Sequence, residues 1–283
     1  MANLSATSPL AGEPPASATP LLDVRDVSKR YVSGRGRSLL ALDSVSLHVA
    51  QGEFVALVGP SGCGKSTLLS IIAGLEDASS GAIVLRGDPQ APRLGHIGYM
   101  PQRDLLLPWR DALGNAITGL RVQGVSRAEA EARARALFAD FGLSGFERAY
   151  PTALSGGMRQ RVAFARTALV TRDLMLLDEP FGALDALTRA ALQRWLGQAL
   201  TRLGTTCLLV THDVDEALAL SDRIYALSPR PGHVRLERRV PLPHPRSQAD
   251  LALPAMAALK AELLDALLGA TTDDGALDEG GAR

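Results

Sequence analysis

Phe54-Val55-Ala56-Leu57-Val58-Gly59-Pro60-Ser61-Gly62-Cys63-Gly64-Lys65-Ser66-Thr67 decides the fold of this chain. Its first five residues are a continuous apolar run, the pattern of a strand buried on both faces. Gly59 to Thr67 then fits G-x-x-x-x-G-K-[ST]. Lys65 to Ala73 reads as a helix, with Leu68, Leu69 and Ile72 on an apolar stripe. Strand, glycine loop and helix in that order place unpaired backbone N–H groups around a phosphate, at the positive end of a helix dipole. Glycines are needed because side chains would block that approach and because the loop calls for positive φ. Lys65 is suited to the β- and γ-phosphates of a nucleotide and Ser66 to a Mg²⁺ ion. A plain glycine-rich turn is the alternative, and the strand–loop–helix context argues against it.

Downstream, Leu174-Met175-Leu176-Leu177-Asp178-Glu179 is an apolar strand ending in two carboxylates. Parallel strands present ligands at their carboxyl ends, so both acids would emerge at the nucleotide. Asp178 would hold Mg²⁺ through the second shell, and Glu179 would polarise the attacking water. Alone, Asp-Glu after an apolar run is a common strand end; the phosphate loop gives it meaning. Between the two motifs lies Leu154-Ser155-Gly156-Gly157-Met158-Arg159-Gln160. Ser155 is a good N-cap for a helix through Val162 to Leu169, opened by Gly156 and Gly157. Such a start is a second anion site.

An LSGGxRQ stretch between those two nucleotide motifs resembles the ATP-binding subunits of ABC transporters, over roughly Leu22 to Val240. The resemblance implies an α/β fold: a P-loop NTPase core with a mostly parallel sheet, an antiparallel β subdomain and an inserted helical signature lobe. It implies ATP and Mg²⁺ as ligands. It also implies a head-to-tail dimer, in which Ser155, Gly156 and Gly157 of one copy close on the ATP held by Gly59, Pro60, Ser61, Gly62, Cys63, Gly64, Lys65, Ser66 and Thr67 of the other. Smaller matches follow in the family's order. Tyr31 stands where an aromatic stacks on adenine, although a lone tyrosine also serves packing. Gln102, after the strand-like His96 to Met100, matches the Q-loop glutamine that contacts water and Mg²⁺ and senses the membrane partner. Asp185 in Ala183-Leu184-Asp185 matches the D-loop and can also be a helix N-cap. His212, after Leu208 to Thr211, matches the switch histidine at the γ-phosphate. The Tyr-Met-Pro before Gln102 departs from the commoner pattern and bears on substrate class rather than ATP chemistry.

Composition narrows the rest. The 283 residues suit one large α/β unit with a sizeable core. Thirty basic and 30 acidic residues cancel, so no nucleic-acid-binding stripe is indicated. Two cysteines, Cys63 and Cys207, indicate no disulfide framework and fit a reducing cytoplasm. Cys63 is either a thiol open to alkylation within the loop or a small inert residue. No run reaches about 18 apolar residues, so no membrane span is expected.

Residues 1–20, rich in Ala, Pro and Ser, read as a tail rather than a signal peptide. The ATPase domain is expected over 21–240. Alternation at Val45, Leu47 and Val49 indicates an antiparallel sheet solvated on one face. The helical lobe is expected over about 103–169, and a hairpin over Arg230 to Val240. Residues 241–283 read as a proline-rich linker, a helix over Gln248 to Leu268 and a disordered polar tail.

A nucleotide domain without spans needs separate permease subunits. The resemblance therefore implies an importer-type assembly at the cytoplasmic face of the inner membrane, served indirectly by an extracytoplasmic solute-binding protein. Leu105-Leu106-Leu107-Pro108-Trp109, Phe181 to Asp185 and Ser228-Pro229-Arg230-Pro231-Gly232 resemble the nitrate/sulfonate/taurine branch. Leu106, Leu107 and Trp109 would be exposed or half-exposed to a permease coupling helix, or else packed within the lobe. Two other assignments stay open: a soluble ABC-type ATPase, and the motor of an exporter or lipid-handling complex. The tandem domains, long coiled coils or cysteine clusters of the soluble members are not seen in this sequence.

Overall fold

The computed structural model describes residues 19–32, 38–171, 173–182, 184–243 and 246–269. In chain order the elements are β1 (Leu22–Val32), β2 (Ser38–Val49), β3 (Phe54–Val58), α1 (Lys65–Ala73), β4 (Ser80–Leu85) and β5 (Gly98–Met100). Then come α2 (Ala112–Ala116), α3 (Thr118–Val122), α4 (Arg127–Asp140), α5 (Gly156–Val170) and β6 (Leu174–Asp178). The chain continues through α6 (Ala186–Leu203), β7 (Thr206–Thr211), α7 (Val214–Leu220), β8 (Arg223–Leu227), β9 (Val234–Arg239), α8 (Gln248–Leu251) and α9 (Pro254–Leu268). The tail residues 1–18 and 270–283, Ala183 of the D-loop and residues 244–245 of the proline-rich segment lie outside the described residues.

Among the described residues, six strands form one sheet in the order β5-β6-β7-β3-β8-β9. The first five run parallel and β9 is antiparallel to β8. β3, β6, β7 and β8 are buried at every position. That explains their continuous apolar runs: layers cover both faces. Side chains alternate between those layers. Leu174 and Leu176 of β6 join the cluster with α1, β1 and β2, whereas Met175 and Leu177 join the helical lobe. The antiparallel sheet is β2-β1-β4, in which Val45, Leu47 and Val49 are buried and Ser46 is exposed. Its third strand, β4, lacks the alternation that marks β2.

The 103–169 lobe is helical only in part. Residues 103–110 are irregular and held by Asn115, whose side chain accepts from the Leu107 N–H at 2.6 Å and donates to the Leu107, Arg110 and Asp111 carbonyls. Leu106 is buried there, the packed of the two alternatives; Leu107 is half-buried and Trp109 is 71% exposed. Phe141 and Phe164 of the lobe clasp Trp195 of α6, with ring centroids 4.8 and 5.4 Å away.

Two further departures have local causes. The late hairpin starts earlier than Arg230, because β9 pairs with β8. The single helix expected over 248–268 is two, α8 and α9, because the ring of Pro254 excludes Leu253 from helical geometry. Met256, Leu259 and Leu263 of α9 pack on Ala56 and Val58 of β3 and on Ile224 and Ala226 of β8.

Candidate functional site

β3 ends at Val58, and the loop turns through Gly62 (φ +79°) and Gly64 (φ +104°) into α1. A Cβ at Gly64 would stand 2.6 Å from Leu42 Cδ2 and 2.9 Å from the Ala41 carbonyl, so both conformation and space demand glycine. No side chain caps α1 and its first turn carries no acidic residue. Its leading N–H groups are therefore left for an anion. Lys65, buried, donates from Nζ to the Gly59 and Pro60 carbonyls at 2.7 and 3.0 Å. Phosphate oxygens arriving in the loop would offer that ammonium stronger, charged acceptors. Cys63 is buried, and burial pushes its thiol above the ordinary range, which favours the inert of the two alternatives.

β6 delivers the carboxylates. Asp178 is buried and accepts from Ser66 Oγ at 3.1 Å. Burial raises its pKa, the Ser66 bond opposes that, and the neighbouring Glu179 adds to it. Glu179 has φ +44°, a strained conformation for a non-glycine residue. It is held by its N–H donating to the Val210 carbonyl at 2.9 Å and by its own carbonyl accepting from Gly182 N–H at 3.2 Å. Its Oε2 accepts from Gln102 Nε2 at 3.1 Å and lies 3.2 Å from His212 Nδ1. Three segments far apart in sequence thus bring one carboxylate, one amide and one imidazole together.

Among the described residues no group of three or more His, Cys, Asp or Glu could hold a metal alone. The Ser66 hydroxyl and Asp178 carboxylate are nonetheless adjacent hard oxygen donors beside the loop. Mg²⁺ characteristically takes one or two such protein ligands and fills its shell with phosphate oxygens and water. The residues present fit that ion.

Tyr31, Ser61, Gly62, Gly64 to Thr67, Gln102 and Glu179 line one open cleft of about 360 Å³. Tyr31 is partly exposed there, its hydroxyl donating to Glu76 at 2.9 Å. Arg230, which carried only the branch resemblance in the sequence, also lines this cleft. Ser155, Gly156, Gly157 and Asp185 do not line it. They form a second cluster. Ser155 Oγ accepts from Met158 N–H at 3.3 Å and Asp185 Oδ1 from Thr188 N–H at 3.0 Å, so both cap their helices. A Cβ on Gly156 would lie 3.2 Å from Leu184, and one on Gly157 3.1 Å from Thr188. The signature and D-loop segments are packed side by side. A roomier cleft of about 610 Å³ between α6, α7 and α8 holds none of these groups.

A phosphate loop on a parallel sheet, with β7 inserted between it and the strand ending in Asp178-Glu179, defines a P-loop ATPase. The sequence profile of the family described as ABC transporter matches residues 42–182. An aliphatic sulfonates import ATP-binding protein of Rhodococcus jostii (strain RHA1) is 45% identical over 256 residues, covering 90% of this chain and 97% of the relative. A formylaminopyrimidine import ATP-binding protein of Halalkalibacterium halodurans is 45% identical over 221 residues, covering 78% of this chain and 85% of the relative. A solved dimeric ATP-binding cassette, in a post-hydrolysis state with ADP and Pi, superposes with TM-score 0.67 at 31% identity; the match covers 77% of this chain and 98% of that one. The chain belongs to the ATP-binding subunits of ABC transporters. It binds ATP and is an ATPase of transport. Among the described residues no helix is long and apolar enough to cross a membrane.

Proposed function

We propose that this chain powers an importer of a small solute, most simply a sulfonate or a related anionic or nitrogen- or sulfur-containing compound. The solute class rests on the named relatives; the ATPase mechanism rests on one observation, the meeting of Gln102 and His212 on Glu179 Oε2, at 3.1 and 3.2 Å, beside the phosphate loop. Residues 21–240 carry the ATPase, with the helical lobe at 103–169.

Tyr31 stacks on adenine, and the Gly59–Thr67 loop with Lys65 holds the phosphates. Ser66 and Gln102, with Asp178 through the second shell, would hold Mg²⁺, which would neutralise phosphate charge. Glu179 orients and polarises the attacking water, and His212 contacts the γ-phosphate. Ser155, Gly156, Gly157 and Asp185 act on the nucleotide of a second copy. That reading is supported by the dimeric cassette similar to this one. Two such copies sit on permease subunits at the cytoplasmic face of the inner membrane, fed by a solute-binding protein. The exposed Leu105 and Trp109 suit an apolar contact with the permease.

Purification from native membranes in mild detergent with a nonhydrolysable ATP analogue tests the assignment. A multi-span protein recovered at one-to-one stoichiometry is the expected result, with its companion binding protein taking sulfonates. Ribosomal or DNA-repair partners would favour the soluble ATPase, and a membrane partner without a binding protein would favour the exporter.

A further inference from the structure

Glu216 is a buried carboxylate that takes no part in the hydrolytic cluster. It is 5% exposed and sits in the first turn of α7. A buried carboxylate is costly unless hydrogen-bonded, and here two side chains donate to it. Thr211 Oγ1 donates to Oε2 at 2.6 Å and Gln193 Nε2 donates to Oε1 at 3.1 Å. Burial, the stronger influence, pushes the carboxyl above the usual glutamate range against the pull of both bonds.

The two donors lead in opposite directions. Thr211 ends β7, immediately before His212. Its hydroxyl also accepts from the Asp213 N–H at 3.0 Å. Donor and acceptor are thus both engaged, and the backbone on either side of His212 is clamped into one turn. His212 projects from that turn to 3.2 Å from Glu179. Gln193 lies on α6, whose N-cap is Asp185. One turn into that helix, Arg189 donates to the Leu184 carbonyl at 3.1 Å. Gln193, Glu216 and Thr211 therefore form a continuous hydrogen-bonded path from the helix that starts at the D-loop segment to the histidine.

We propose that Glu216 is a positioning residue: it fixes the Thr211 turn that aims His212 at Glu179, and it ties that aim to helix α6. The proposal rests on the reading of His212 as the γ-phosphate contact. A residue acting through the histidine affects turnover and leaves ground-state nucleotide binding alone.

The test is a double-mutant cycle on Mg-ATPase turnover, with fluorescent-nucleotide affinity and melting temperature measured on every variant. E216A is expected to lower kcat about tenfold, since small misplacements of a reacting group are costly, while nucleotide Kd changes less than about twofold. In an H212A background E216A is expected to add nothing. E216Q is expected to restore most of the turnover. Its amide can accept from Thr211 and donate to Gln193 once that side chain turns over. T211V removes the clamp without emptying the site and carries the same test should E216A fail to fold. Normal turnover in folded E216A or T211V would overturn the proposal. So would an E216A effect that persists in full beside H212A, or E216Q as damaged as E216A. Near-normal H212A would remove the histidine's role, and this proposal with it.

Discussion

At the scale of single residues, Glu179 is the strongest test of the chemistry. Its φ of +44° is sustained by two backbone hydrogen bonds, and its carboxylate collects Gln102 and His212. E179Q keeps the shape and loses the charge. Turnover is expected to fall by about 10²–10⁴, the usual contribution of a positioned base, with ATP affinity retained; steady-state hydrolysis and equilibrium binding check this. Near-normal turnover would take the base role from Glu179. Cys63 gives a second, independent check. Burial raises its thiol pKa, so at neutral pH the thiolate fraction is below that of a free cysteine and grows only as pH rises. Maleimide labelling of the folded protein at pH 7 is therefore expected to be slow and to accelerate on denaturation. Rapid labelling of the native protein would contradict the buried placement.

At the scale of elements, α5 and α9 carry the predictions. S155R removes the cap that Ser155 Oγ provides to α5, at a cost of about 1 kcal/mol, and sets a bulky cation where a second copy's phosphate would lie. Hydrolysis is expected to vanish while ATP binding by the variant's own phosphate loop persists; loss of both would argue against a site shared between copies. Leu263 of α9 is fully buried against the sheet. L263A is expected to cost about 2–5 kcal/mol in urea unfolding, whereas L268A, at an exposed position, costs below about 0.5 kcal/mol. These elements differ in how far the sequence revealed them. β3 and β6 were legible because burial on both faces leaves uninterrupted apolar runs, α1 because an apolar stripe follows the glycine loop, and α5 because a serine cap precedes two glycines. β4 was not, because Ser80-Gly81-Ala82 breaks the alternation. The buried Leu106 was not, because its burial depends on Asn115 ordering an irregular segment from a neighbouring helix. Arg230 entered the cleft unannounced, since nothing local says that the β8–β9 loop folds back over the phosphate loop. The family resemblance did name the other residues around Glu179, Gln102 and His212, and they meet because a P-loop core brings the carboxyl ends of its parallel strands to one edge.

At the scale of the whole molecule, the proposed function gives one chain two half-sites: the phosphate-loop cleft with Glu179, and the Ser155–Gly157 cluster packed against Leu184 and Thr188. Nothing among the described residues of a single copy brings the halves onto one phosphate, and two copies head to tail would do so twice. In the proposed function ATP would join the subunits and its hydrolysis would part them. The direct measurement is the sedimentation mass of E179Q with and without Mg-ATP, with S155R introduced as a second variant. A single copy is expected without nucleotide, two copies with Mg-ATP, and a return to one copy when S155R is added although ATP stays bound. A single copy of E179Q at saturating, demonstrably bound Mg-ATP would contradict the head-to-tail pairing.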